Sequence, residues 1–368
     1  MNPETTFVTP FATLQLHHWP RRPNETLRAW DGADLYLLEH LSEQKTQGPW
    51  LIFNDLCGAL TLSLTAQPTI SSGDSFVAQQ ALFANAQDNS LPKPLWLWPD
   101  EDPTTPVATV LIRIPKSVAL LEYQLSRLSA ALPPGTPVIL AGIDKHLPPN
   151  LLAVMGRYLR NPRAGLGRHK ARLFFAESEP KTKSRWPSRV QVPELEAELQ
   201  VQAGVFSQDS LDLGARFFMQ QIPGGIFGGI ADLGCGNGVI GLVAAKRSPD
   251  AKVWFCDESA QAIRSARANA AALFPGRDFQ FQLGNGLDGL DQKFELILLN
   301  PPFHRGHAID DGVARMLFGQ ARQHLAPGGQ LLVIGNRLLQ YQQPLRRLFT
   351  KVEQLAADAR FTIWRASL

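Results

Sequence analysis

Residues 230–241 read Ile230-Ala231-Asp232-Leu233-Gly234-Cys235-Gly236-Asn237-Gly238-Val239-Ile240-Gly241. A short apolar strand enters a turn with glycine at alternate positions, and an apolar helix starts directly after it. Glycine in such a turn takes positive φ and lets a ligand approach the backbone closely. Strand, turn and helix together predict an open α/β sheet that binds its ligand at the carboxyl ends of the strands. A dinucleotide-binding loop has the fingerprint Gly-x-Gly-x-x-Gly, whereas here the order is Asp-x-Gly-x-Gly-x-Gly. The acid ahead of the first glycine repels a pyrophosphate but attracts a cation. It suits the α-amino group of a methionine-derived cofactor. S-adenosylmethionine is therefore the expected cofactor, with Asp232, Gly234, Gly236 and Gly238 among its contacts.

Downstream, Lys252-Val253-Trp254-Phe255-Cys256-Asp257 is a second strand ending in an acid, placed to accept from ribose hydroxyls. Phe279–Leu283 is a third strand followed by Gly284-Asn285-Gly286, where Asn285 can pair with an adenine edge or simply make a turn. The fourth strand, Phe294-Glu295-Leu296-Ile297-Leu298-Leu299, runs into Asn300-Pro301-Pro302-Phe303. Prolines lack an N–H, so this turn offers carbonyl oxygens without competing donors. Asn300 adds an amide oxygen and Phe303 a stacking face. The set fits a planar substrate bearing an –NH2 group, although Asn-Pro-Pro is also ordinary turn chemistry. His304 and His307 flank the turn and read best as substrate-loop residues. Upstream, Gly204-Val205-Phe206-Ser207 and Leu211-Asp212-Leu213-Gly214-Ala215-Arg216 either close over the cofactor, with Phe206 and Ser207 touching it, or form an entry strand and helix.

The N-terminal half carries the same signals. A helix is expected from about Leu27 to Leu41 with Asn24 as its N-cap, then a strand at Trp50–Asn54. Further strands fall at Val107–Ile114 and Val138–Gly142, with a helix over Ser117–Leu132 between them. Four segments match the second half in order: Asp55-Leu56 with Asp232-Leu233, Ser71–Ser75 with Phe255–Ser259, Leu111–Pro115 with Ile297–Pro301, and Leu132–Val138 with Leu325–Leu331. Their spacing grows steadily from 177 to 193 residues, which small insertions explain. The chain thus reads as one α/β domain written twice. The first copy has Cys57-Gly58-Ala59 in place of the three glycines and Ile114-Pro115-Lys116-Ser117 in place of Asn-Pro-Pro-Phe. It is expected to be folded and inactive, a support or RNA-recognition domain at 1–160. A basic linker is expected at 161–190 and the catalytic domain at 191–368.

At 368 residues, 44% hydrophobic and 19% charged, the composition is that of a globular protein of two domains. No apolar run approaches the ~20 residues that span a bilayer. Met1–Pro10 has neither basic nor apolar region of a signal peptide, and the three cysteines, Cys57, Cys235 and Cys256, are too far apart to ligate a metal. A cytoplasmic, metal-free protein without a membrane partner is expected, acting as a monomer. The net charge of +3 conceals an asymmetry: residues 157–189 hold ten Lys/Arg against two Glu. Clustered cations release counterions on meeting a nucleic-acid backbone. Arg163, Arg168, Lys170, Arg172, Lys181, Lys183 and Arg185, with His304, are the expected RNA contacts; the alternative is a solvated linker.

Asp-Leu-Gly-Cys-Gly-Asn-Gly, Asn-Pro-Pro-Phe-His and the Gly-Val-Phe-Ser lead-in together resemble the tandem-domain ribosomal RNA guanine-N2 methyltransferases of bacteria, over nearly the whole chain. Ala29–Leu38, Asn54-Asp55 and Ile114–Glu122 resemble the large-subunit branch. The resemblance implies two tandem Rossmann-like class I methyltransferase domains, the first degenerate, and methylation of a guanine N2 amine in protein-free 23S rRNA. Gln208 departs from the pattern, which has arginine after the serine. Competing readings keep the chemistry but change the substrate to 16S rRNA, an adenine N6 amine or a protein glutamine. Another makes the chain a non-enzymatic RNA-binding or assembly protein.

Overall fold

The computed structural model describes residues 4–22, 25–180, 184–301 and 308–368, the side chains of residues 308–311 excepted. The chain divides into two compact units, Met1–Trp186 and Pro187–Leu368. The first holds strands β1 (Trp50–Phe53), β2 (Thr69–Ser72), β3 (Leu95–Leu97), β4 (Thr109–Arg113), β5 (Pro137–Ile143), β6 (Leu159–Arg168) and β7 (Ala171–Ser178). The second holds β8 (Gly229–Leu233), β9 (Lys252–Asp257), β10 (Phe279–Leu283), β11 (Phe294–Leu299), β12 (Leu325–Asn336), β13 (Lys351–Ala357) and β14 (Phe361–Ser367). The seven-stranded sheets have orders β3-β2-β1-β4-β5-β7-β6 and β10-β9-β8-β11-β12-β14-β13, which are the same order with the labels shifted. Five strands of each sheet run parallel and the last two close it antiparallel. The duplication expected from four short matches is a duplication of the whole sheet.

Each sheet is buried on both faces, as parallel sheets are. Trp50 and Ile52 enter one core of the first unit, while the alternate residues Leu51 and Phe53 enter the other. In the second unit Ile230, Val253 and Leu298 face one side, and Ala231, Cys256 and Leu299 the other. The first unit's helices are α1 (Gly32–Glu43), α2 (Ala59–Ser63), α3 (Phe76–Asp88), α4 (Val118–Ala131) and α5 (Leu151–Tyr158). The second unit's are α6 (Leu213–Met219), α7 (Val239–Arg247), α8 (Ala260–Leu273), α9 (Ala308–His324) and α10 (Gln342–Leu348). Corresponding helices keep corresponding caps: the Ser75 side chain accepts from Ala78 N at α3, and Ser259 from Ala262 N at α8.

Two expectations need correction. Asn24 lies outside the described residues, and α1 begins later, at Gly32. There Asp31 accepts from Ala33 N and Asp34 accepts from Asp31 N, a capping box. The basic segment is not a linker. Residues 159–178 form the hairpin β6–β7, turning at His169 and Lys170, both at positive φ. β7 pairs with β5 and buries Ala171, Leu173, Phe174 and Ala176. Its charges project from a strand whose other positions belong to the core, and the first unit extends to Trp186.

Candidate functional site

The second unit's site is built on the carboxyl ends of β8, β9 and β11. At the end of β8 the chain turns through Gly234, Gly236 and Gly238 at φ of 74°, 54° and 86°, a region costly for any residue with a Cβ. A Cβ on Gly234 meets no described atom within 4 Å, and one on Gly236 meets only Val205 Cγ1 at 4.0 Å. One on Gly238 would lie 3.0 Å from Ala266 Cβ of α8. The first two glycines therefore open the backbone to a ligand, and the third lets α7 pack against α8. Gly234 N and Cys235 N donate to Cys256 O at 2.8 and 3.1 Å, which pins the turn to β9.

Both acids lie under or beside this turn. Asp232 is buried, and its Oδ2 accepts from Gly241 N at 2.7 Å, capping the first turn of α7. Burial pushes its carboxyl up to about 8, against the pull of that hydrogen bond. Asp257 sits at the end of β9, where its Oδ2 accepts from Gly236 N and its Oδ1 from Ser259 N, each at 2.9 Å. Desolvation raises its pKa, and these backbone donors oppose the rise. A carboxylate oxygen accepts two hydrogen bonds, so both acids retain acceptor capacity. Phe206 is largely exposed and Ser207 is at positive φ, beside buried Val205, which borders Gly236.

At the end of β11, Asn300 Oδ1 is buried and has no hydrogen-bond partner among the described residues. A buried amide oxygen without a donor costs about 1–3 kcal/mol, so this one awaits a donor. Pro301 is buried beside it. Pro302, Phe303, His304 and His307 lie outside the described residues, as do Lys181 and Lys183. Asn285 is also buried, but its Nδ2 donates to Asp288 Oδ2 at 2.8 Å and points at Met316 Sδ at 3.6 Å. Gln320 of α9 completes this knot by donating to Asn285 O and Asp288 Oδ1 and accepting from Leu287 N. Asn285 first fixes its own loop through Asp288, and only its second amide hydrogen, now towards Met316 Sδ, is left for an adenine.

The expected RNA-contacting cations are largely engaged within their own domain. Arg168 pairs with Glu39 and Glu43 at 3.0 and 2.8 Å, Arg172 with Asp144 at 3.2 Å, and Arg185 with Glu122 at 2.8 Å. Arg163 stacks over Phe175, 4.5 Å from the ring centre. Lys170 stands at the hairpin turn. The exposed pairs of Arg168 and Arg172 are worth at most about 1 kcal/mol, so a phosphate can replace their carboxylates, whereas Arg185 is held by the buried Glu122.

Two family models match the chain: the RLMG N-terminal domain over residues 4–180 and the methyltransferase small domain over residues 196–365. A ribosomal RNA large subunit methyltransferase G from Alcanivorax borkumensis is 49% identical, covering 98% of this chain and 96% of that protein. The chain belongs to the ribosomal RNA large subunit methyltransferase G family. A protein of the same name from Ectopseudomonas mendocina is 42% identical over 98% of this chain and 99% of its own length. A solved structure, the 16S rRNA N2 guanine methyltransferase RsmC of T. thermophilus in complex with AdoMet and guanosine, superposes with a TM-score of 0.74. It covers 99% of this chain and 97% of its own at 22% identity. The shared two-domain fold is what that likeness carries.

Within this methyltransferase family member the first domain keeps the frame and fills the site. Asp55 Oδ2 accepts from Thr61 N, the third residue of α2, at 2.7 Å, as Asp232 does from the third residue of α7. Gly58 caps α2 at φ 83°, as Gly238 caps α7 at φ 86°. Between acid and cap, however, three residues are missing, and with them the two ligand-facing glycines. Gly73 takes the place of Asp257, and a Cβ there would lie 2.9 Å from the Trp96 ring. The cavity at the ends of β1, β2 and β3 measures about 20 Å³, room for about one water. Sequence reasoning missed the residues that hold the second domain's lead-in: Asn269 of α8 donates to Gln200 O and Asn237 O and accepts from Gln200 N. The signal was an asparagine within an alanine-rich helix.

Proposed function

We propose that the second domain transfers a methyl group from S-adenosylmethionine to the exocyclic N2 amine of a guanine in 23S rRNA, with protein-free RNA as substrate. The buried Oδ1 of Asn300, without a partner among the described residues, carries this reading. A guanine amine is a poor nucleophile because its lone pair is delocalised into the ring. Asn300 Oδ1 and the Pro301 carbonyl accept its two N–H hydrogens and draw the nitrogen towards tetrahedral geometry, with Pro302 and Phe303 completing the rim. Bound S-adenosylmethionine supplies the electrophilic methyl. The residues fit it: Asp257 takes the ribose hydroxyls, Gly234 and Gly236 leave the open backbone it needs, and Asp232 faces its ammonium through the turn. Asn285, Phe206 and Ser207 border the same cofactor. No base is needed before transfer, since the proton becomes acidic once the nitrogen is methylated and leaves to solvent. The gain comes from orientation and from acceptors fixed in advance.

The first domain then serves as an RNA-recognition and supporting domain, where Arg163, Arg168, Lys170, Arg172, Lys181, Lys183 and Arg185 meet phosphates, while His304 of the second domain serves the substrate loop. The working unit is a single chain acting in the cytoplasm, because the duplication already supplies the second copy of the fold. Among the described residues no helix is long and apolar enough to cross a membrane, and no cluster of side chains can hold a metal ion.

The test uses tritiated S-adenosylmethionine and separated, protein-free 16S and 23S rRNA from cells lacking the enzyme. Label recovered as N2-methylguanosine from 23S is expected. Asn300→Ala should lower kcat on the order of a hundredfold or more while cofactor affinity stays within twofold or so. Label in 16S alone would move the substrate, and no label in either RNA would end the proposal.

A further inference from the structure

The second unit contains a charge asymmetry that no sequence run reveals. Between residues 312 and 350 there are five arginines, Arg315, Arg322, Arg337, Arg346 and Arg347, and no aspartate or glutamate. The rest of the unit, residues 187–311 and 351–368, has 13 Lys/Arg against 17 Asp/Glu. Two of the five, Arg315 and Arg347, line one groove of about 310 Å³ between α9 and the β12–α10 connection, together with Leu338, Gln340, Tyr341 and Gln343. Arg315 and Arg347 are exposed, and among the described residues neither has a carboxylate at ion-pair distance. Leu338, 80% exposed, gives the rim an apolar edge.

The groove stands at the same end of the sheet as Asn300. Leu299 pairs with Val333 on the neighbouring strand, and β12 runs on to Asn336 before entering the groove's wall. Three residues of strand put that entry roughly 10 Å beyond the reacting position, a spacing of one or two nucleotides. α9, the other wall, is the helix that follows the Asn-Pro-Pro turn. We propose that this groove binds the sugar–phosphate backbone of the substrate RNA next to the target guanine, with Arg315 and Arg347 on a phosphate and Gln340 and Gln343 on ribose or base edges. This rests on RNA being the substrate. Guanidinium forks suit phosphate oxygens, and two exposed arginines facing one groove supply the charge that backbone binding uses.

The full-length enzyme is compared with Arg315→Ala, Arg347→Ala, the double variant and Lys252→Ala, a control at the opposite end of the sheet. Methylation of protein-free 23S rRNA, RNA binding against salt and cofactor affinity are measured. Each groove variant should raise KM for RNA on the order of tenfold, leave kcat and cofactor affinity unchanged, and lower the salt slope by about one. Lys252→Ala should match wild type, and melting temperatures should show that all variants are folded. A double variant with wild-type KM and salt slope would overturn the groove, as would a Lys252→Ala effect of equal size. Those results leave the proposed function standing. A wild-type enzyme that labels no ribosomal RNA defeats the function itself.

Discussion

Two side chains at the strand ends hold polar groups that the protein alone does not satisfy in the usual way. Asn300 Oδ1 has no donor among the described residues, and Asp232 is buried with a carboxyl held up to about 8. In the unfolded chain an aspartate titrates near 3.9. The folded state therefore binds this proton more tightly. Its contribution to stability is full below about pH 4 and is lost as pH rises through about 8. A cationic ammonium near the turn reverses the preference, because it favours the ionised carboxylate. Cofactor binding near pH 6.5 should therefore release close to one proton, and affinity should rise with pH until about 8. Calorimetry in two buffers of different ionisation enthalpy reads the proton count directly. Asp232→Asn, which can keep the cap on Gly241 N, should bind more weakly and release no proton. Proton-neutral binding by the wild-type protein would remove Asp232 from the cofactor site.

At the scale of elements, the two domains differ in small, costly details set on a common frame. Gly238→Ala combines a positive φ, costing about 1–2 kcal/mol, with a 3.0 Å approach to Ala266. It should lower the second domain's stability by at least that amount in denaturant unfolding. In the first domain Arg113 ends β4 and pairs with Asp31 and Asp34 at 2.8 and 2.9 Å, joining that strand to the cap of α1. Arg113→Met leaves buried Asp34 without its cation, which should cost about 3–5 kcal/mol; an unchanged unfolding midpoint would show that the acid simply takes up a proton. The sequence made the glycine turn and β11 legible, because glycine spacing and unbroken apolar runs are local signals. The β6–β7 hairpin was not legible, since the surrounding arginines masked the buried Ala171, Leu173, Phe174 and Ala176, and its turn uses His169 and Lys170 where glycine or asparagine is usual. The arginine groove was hidden for another reason. Its two cations, Arg315 and Arg347, are 32 residues apart in the chain and share a groove only when α9 and α10 are folded.

For the molecule as a whole, the repeated sheet order states that one fold was duplicated and then divided between support and chemistry. The two units are separate in their cores: β1–β7 are covered by two apolar clusters drawn from the first, and β8–β14 by two drawn from the second. A domain with its own core is a unit of cooperative unfolding. Guanidinium unfolding should accordingly show two transitions, and they can be assigned. Six of the eight tryptophans, Trp19, Trp30, Trp50, Trp96, Trp98 and Trp186, lie in the first unit, so fluorescence reports mainly on it while circular dichroism follows both. S-adenosylmethionine at a hundred times its dissociation constant should stabilise one transition by about 2.7 kcal/mol. The shifted transition should be the one that is weak in fluorescence, because Gly234, Gly236 and Asp257 have no counterparts in the first domain, whose cavity takes about one water. A shift of the fluorescent transition instead would mean that the first domain binds the cofactor, or that the two domains unfold as one.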